Sequence, residues 1–75
     1  MASDLGYTIK CPLPGTVLSI NVKVGDTIAT GQTLVILEAM KMENNIDADR
    51  AGVVKQIFVQ QGATVMEGDN LILIE

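Results

Sequence analysis

Seventy-five residues suffice for one domain with a small core, because a chain of this size buries only about 60% of the surface that its unfolded form exposes. The net charge is −4, and the five basic residues (Lys10, Lys23, Lys41, Arg50, Lys55) are scattered among one Tyr, one Phe and no Trp. This excludes a base-stacking or phosphate-binding surface and attraction to anionic membranes, so neither nucleic acid nor a bilayer is an expected partner. Histidine is absent and Cys11 stands alone, so no internal disulfide forms and no oxidising compartment is required. The longest apolar runs, Leu34–Leu37 and Leu71–Ile74, are far too short to cross a membrane, and the N-terminus has no signal pattern. A cytoplasmic localisation is expected.

Residues 1–6 are expected to form a disordered extension, with the domain proper at 7–75. Tyr7–Cys11 reads as a strand closed by Pro12. Leu18, Ile20 and Val22 then alternate with Ser19, Asn21 and Lys23, the period of a half-buried strand. Gly25-Asp26 breaks that strand, a short piece follows at Thr27–Ala29, and Gly31-Gln32 turns the chain into Leu34–Leu37. Met42–Ala48 supplies another strand. The second half repeats the first after a shift of 37 positions, without a gap: Gly15 falls on Gly52, Val17 on Val54, Gly25 on Gly62, Gly31 on Gly68, Leu34 on Leu71 and Glu38 on Glu75. Matching glycines predict matching turns, with Asp26, Asp49 and Asp69 as turn or cap residues. No stretch keeps a helical period. The expected fold is all-β: eight short strands in two four-stranded antiparallel sheets, packed as a flattened barrel or sandwich about an internal pseudo-two-fold axis. Because that axis lies within one chain, the domain is expected to be monomeric. The strand ending at Glu75 suggests an excised domain or the C-terminal piece of a longer protein.

Between the halves lies Glu38-Ala39-Met40-Lys41-Met42, where the repeat requires a hairpin tip. Tight hairpins ordinarily recruit Asn-Gly, Asp-Gly or Gly-X, and this one has none of them. Two methionines at a turn put apolar surface into water and do nothing to ease positive φ. An exposed tip lysine is ordinarily only a solvated charge, but a sequence that breaks turn chemistry at one place and obeys it elsewhere marks a functional site. A lysine of pKa about 10.4 is almost wholly protonated at neutral pH and needs burial or a neighbouring cation to become a nucleophile. The nearest charges in sequence are Glu38 and Glu43, so Lys41 reads as a residue acylated by another enzyme, which takes the net charge from −4 to −5.

These residues, with Gly25-Asp26, Gly31-Gln32, Ala48-Asp49 before Gly52, and Gly68-Asp69, give a chain that resembles the biotinyl (biotin carboxyl carrier) domains of biotin-dependent carboxylases, decarboxylases and transcarboxylases. The resemblance covers about Tyr7 to Glu75. It implies a non-catalytic swinging-arm carrier with biotin as its covalent cofactor, joined to Lys41 by a biotin protein ligase through biotinyl-adenylate. It also implies partner subunits or domains, a biotin carboxylase and a carboxyltransferase, between which carboxybiotin is shuttled. Met40 and Met42 match the methionines that flank the family's lysine, Ala39 completes the motif, and Glu38 matches a glutamate through which the ligase engages the hairpin. The repeat offers a plainer account of Glu38, since Glu75 is its equivalent.

The gapless repeat leaves no room for the thumb insertion typical of carriers of bacterial multi-subunit acetyl-CoA carboxylase. The chain is therefore more similar to carriers of pyruvate carboxylase, propionyl-CoA carboxylase, sodium-pumping decarboxylases or transcarboxylase, with a lean to a bacterial decarboxylase or acyl-CoA carboxylase subunit. Two other readings stay open. One is a lipoyl carrier, which shares the fold but typically carries Asp-Lys-Ala where Met40-Lys41-Met42 stand. The other is an unmodified barrel-sandwich interaction module, a class that usually lacks the tip lysine.

Overall fold

The computed structural model describes residues 6–75. Of the expected N-terminal extension, residues 1–5 lie outside the described residues, and Gly6 sits against Ile74 and Glu75. Eight strands follow in order: β1 (Tyr7–Lys10), β2 (Gly15–Ile20), β3 (Thr27–Ile28), β4 (Thr33–Ala39), β5 (Met42–Asp47), β6 (Gly52–Ile57), β7 (Thr64–Val65) and β8 (Asn70–Ile74). They form two four-stranded antiparallel sheets, ordered β1-β8-β6-β3 and β5-β4-β2-β7. The expected all-β sandwich is what the chain adopts.

The repeat is carried into the backbone. Each half gives its two-residue strand to the sheet built mainly by the other half, β3 pairing with β6 and β7 with β2. The exchange is secured by matched hydrogen bonds. Gly25 N–H donates to Val54 O (2.8 Å) and Val54 N–H to Asp26 O (2.9 Å), while Gly62 N–H donates to Val17 O (2.8 Å) and Val17 N–H to Ala63 O (2.9 Å). Val17, Leu34, Val35 and Leu37 thus meet Val54, Leu71, Ile72 and Ile74 in one shared core. Neither half can bury its apolar face without the other.

Register irregularities explain where the simple alternation fails. In β2 the pairing with β4 slips between Val17 and Ser19, and in β6 the pairing with β8 slips at the equivalent place, between Val54 and Gln56. One extra residue there, Leu18 or Lys55, shifts the inward-facing set. Val17 and Val54 therefore fill the core, while Leu18 and Ile20 are only half-buried. In the second half β6 runs from Gly52 to Ile57, the counterpart of β2. Similar slips at Leu34 and Leu71 turn two consecutive residues inward, and Leu34, Val35, Leu71 and Ile72 are all fully buried. The interval from Ile20 to Thr27 equals that from Ile57 to Thr64, so no thumb separates β2 from β3.

The repeated glycines divide into two kinds. Gly31 has φ +84° and Gly68 φ +90°, with open space where a Cβ would stand, so they make turns as the repeat predicts. Gln32 Oε1 accepts from Ala29 N–H across the first of these turns (3.0 Å), and Asp69 Oδ2 accepts from Met66 N–H across the second (2.9 Å). Asp26 caps its own turn, accepting from Lys23 N–H (3.0 Å), whereas Asp49 makes no such bond among the described residues. Gly15 and Gly52 are not turn glycines. Each lies in a strand where another backbone approaches closely, and a Cβ on Gly15 would stand 2.6 Å from Glu38 O. Gly31→Val should cost about 1–2 kcal/mol through the left-handed backbone alone, lowering the thermal midpoint by roughly 4–16 °C. Gly15→Ala should destabilise by a comparable amount through overpacking, with chemical-shift changes concentrated at Glu38 and Ala39. A wild-type midpoint in both variants would refute the two assignments.

Candidate functional site

β4 lies between β2 and β5, and its last pair with β5 is Ala39 opposite Met42. Only Met40 and Lys41 remain to reverse the chain. A two-residue connection whose twist suits the flanking strands places both central residues at positive φ. Met40 has φ +55° and Lys41 φ +64°. Among the described residues they are the two non-glycine residues in that region. Each such residue costs about 1–2 kcal/mol, and the cost is met by the register of the sheet beneath it. Observed strain of this kind is concentrated at functional sites.

The side chains sort by the same geometry. Leu37 and Ala39 point into the sandwich, and Ala39 is 7% exposed. Beside it in the sheet Gly15 permits the close approach of β2, so the base of the hairpin is held from its flank. The sequence marks Gly15 only as a repeat glycine, and its place at the head of the Thr16-Val17 strand is the one signal of a close backbone approach. Met40 is 89% exposed and Met42 64% exposed, and Lys41 projects into solvent between them. Among the described residues the one ion pair joins Lys55 to Glu75 (3.8 Å), so Lys41 is held by no carboxylate.

Glu38 is exposed and stands between Thr16 on β2 and Glu43 on β5. Like charges directly opposite on neighbouring strands oppose pairing, so this arrangement does not serve the sheet. Its repeat equivalent, Glu75, is paired with Lys55, whereas the position equivalent to Lys55 near Glu38 is Leu18. The symmetry that gave Glu38 a plain structural explanation is broken where that explanation would act.

At the opposite, symmetry-related bend, Tyr7 OH donates to Arg50 O (2.7 Å), and the Arg50 guanidinium lies 4.4 Å from the centre of the Tyr7 ring. Cys11 is buried and its Sγ–H donates to Leu13 O (2.8 Å), which makes it a packing residue. The hairpin thus offers an unpaired primary amine, projecting from a two-residue β-turn and flanked by apolar side chains. Those are the features needed to receive an acyl group through an amide bond.

Residues 7–74 match the family described as "Biotin-requiring enzyme", and the chain belongs to it. It is 57% identical to the biotin carboxyl carrier protein of Streptococcus mutans over 67 residues, covering 89% of this chain and 52% of that one. It is 45% identical to the biotin/lipoyl attachment protein of Bacillus subtilis over 65 residues, covering 87% of this chain and 89% of that one. Among solved structures, the Kluyveromyces lactis urea carboxylase matches with a TM-score of 0.89 at 29% identity, over 96% of this chain and 6% of that chain. The chain thus spans about half the length of the S. mutans relative and a small part of the carboxylase.

Replacing Met40-Lys41 by Asn-Gly, the pair suited to this turn, should relieve the strain. The double variant Met40→Asn with Lys41→Gly is expected to be more stable than wild type by about 1–2 kcal/mol. Urea unfolding would measure this, and a less stable variant would contradict the strain assignment.

Proposed function

We propose that the domain, residues 7–75, is a biotin carboxyl carrier domain in which Lys41 is the residue that receives biotin. The observation that carries this reading is the tip itself: an exposed, unpaired lysine between two exposed methionines, on a turn whose backbone is strained in their presence. Asn-Gly would reverse the chain at less strain, so a methionine and a lysine at positive φ point to a use for their side chains.

The partner for attachment is a biotin protein ligase that supplies biotinyl-adenylate. The Lys41 amine, deprotonated by the ligase, attacks the acyl carbonyl. A C–N bond forms, the C–O bond to AMP breaks, and the amine proton leaves. Arginine cannot replace lysine here, because its guanidinium is effectively never deprotonated. Glu38, left without a cation among the described residues, is available to a basic group of the ligase. Ala39 anchors the hairpin in the core, so the ligase meets a preformed tip.

Biotin, once attached, supplies a ureido nitrogen that carries a carboxyl group between a biotin carboxylase and a carboxyltransferase. The contribution of this chain is positional. The sandwich holds the attachment point on a rigid tip, and the exposed thioethers of Met40 and Met42 give partner enzymes an adaptable apolar contact around the amide. The domain is itself non-catalytic, acts as a monomer and works in the cytoplasm, beside or within a multidomain carboxylase. No helix among the described residues is long and apolar enough to cross a membrane.

Incubation with biotin, ATP and a biotin protein ligase should add one biotinyl increment to the intact mass. Lys41→Arg should keep the wild-type stability within about 0.5 kcal/mol, as for a surface substitution, and take up none. An unmodified wild-type chain that is folded would overturn the proposal, and uptake of lipoate in its place would establish the lipoyl reading.

A further inference from the structure

The pseudo-two-fold provides an internal control, because each residue near the hairpin has a counterpart at the other end of the sandwich. The connection leading into β2 is Cys11-Pro12-Leu13-Pro14-Gly15, and its counterpart leading into β6 is Ala48-Asp49-Arg50-Ala51-Gly52. The first is uncharged and apolar, whereas the second carries an aspartate and an arginine. Met66, just after β7, is 58% exposed, and its counterpart is Ala29. Both departures from symmetry add apolar surface at the end of the domain that bears Lys41.

These residues are neighbours of the hairpin across the sheet. Gly15 abuts Glu38 and Ala39 on one side and pairs with Val65 on the other. Two strand spacings, about 10 Å, therefore separate Ala39 from Val65, and Met66 follows at once. The run Pro12–Pro14 is held at the same end. Cys11 N–H donates to Asp69 O (2.8 Å) and Gly68 N–H donates to Cys11 O (2.8 Å), so the run leaves the Met66–Asp69 turn and finishes at Gly15. Leu13 packs half-buried against the core, and Pro14 is exposed. The lysine end of the domain thus carries Met40 and Met42 at the tip, Leu13 and Pro14 in the run before β2, and Met66 after β7.

We infer that Leu13, Pro14 and Met66 form a resting shelf for the apolar face of the bicyclic ring borne on Lys41, occupied when the ring is outside a partner's active site. The inference rests on the carrier reading above. The tether permits it: eleven bonds of about 1.5 Å separate the Lys41 Cα from the ring, a reach on the order of 14 Å when extended. A tethered group experiences an effective concentration in the millimolar range, so intrinsically weak contacts suffice. The occupant is the ring and not a distant ligand because these residues lie at the end of the domain that bears the attachment point and within that reach. In this chain without a thumb, the shelf lies on the body of the domain.

The test uses protein labelled with 13C at the methionine methyl groups, in three forms: unmodified, biotinylated at Lys41 with the adduct verified by intact mass, and acetylated at Lys41. The Met66 methyl resonance should move by more than a linewidth on biotinylation, stay in place on acetylation, and show nuclear Overhauser contacts to ring protons. In Met66→Gln the ring protons should return to the shifts of free biotinyl-lysine. A Met66 methyl indifferent to a verified adduct would overturn the shelf and leave the carrier reading intact. An equal shift on acetylation would trace the effect to loss of the lysine charge and overturn the shelf as well. Failure to form the adduct on folded protein would remove the carrier reading and this inference together.

Discussion

The site depends on a count of residues: between Ala39 and Met42, paired across β4 and β5, there are only two. That count sends Met40 and Lys41 to positive φ regardless of their own preference. A longer loop would let both relax and would leave the lysine mobile. The short one holds the lysine at the tip in a defined direction, at the cost of strain that a 75-residue domain must offset elsewhere.

The interlocked halves supply that offset. Because β3 and β7 are exchanged between sheets, β2 is pinned by β7 on one side and β4 on the other. β4 in turn has fully buried Leu34, Val35 and Leu37 along its length. The register that forces the turn is therefore tied to the core, and Gly15 lets β2 run close alongside the base of the hairpin without a side chain intervening. Where the halves agree at Gly31 and Gly68, both glycines make turns. They differ at Leu18 against Lys55, Leu13 against Arg50, and Met66 against Ala29.

Much of this was legible in the sequence because it rests on short-range chemistry. Matched glycines placed the turns, the repeat placed the hairpin between the halves, and the absence of turn residues at Met40-Lys41 singled out the site. What the sequence concealed are consequences of tertiary register. The extra residues at Leu18 and Lys55 moved the core to Val17 and Val54, which simple alternation does not reveal. Gly15 and Gly52 looked like the turn glycines because only the approach of a distant strand distinguishes them. Glu38 and Glu75 are equivalent in the repeat, yet only Glu75 has a Lys55 beside it, a difference of surroundings that the repeat does not carry.

The central claim is that the fold, and not the local sequence, presents Lys41. An isolated two-stranded hairpin is marginal in water, so a synthetic peptide of residues 33–47 retains every residue of the motif and lacks the register that holds it. The decisive measurement is the initial rate of ligase-catalysed biotinylation of this peptide against the folded domain at equal concentration. The account predicts that the domain is modified at least tenfold faster, which corresponds to about 1.4 kcal/mol of presentation. Equal rates would mean that the five-residue motif is read without its scaffold, and would contradict it.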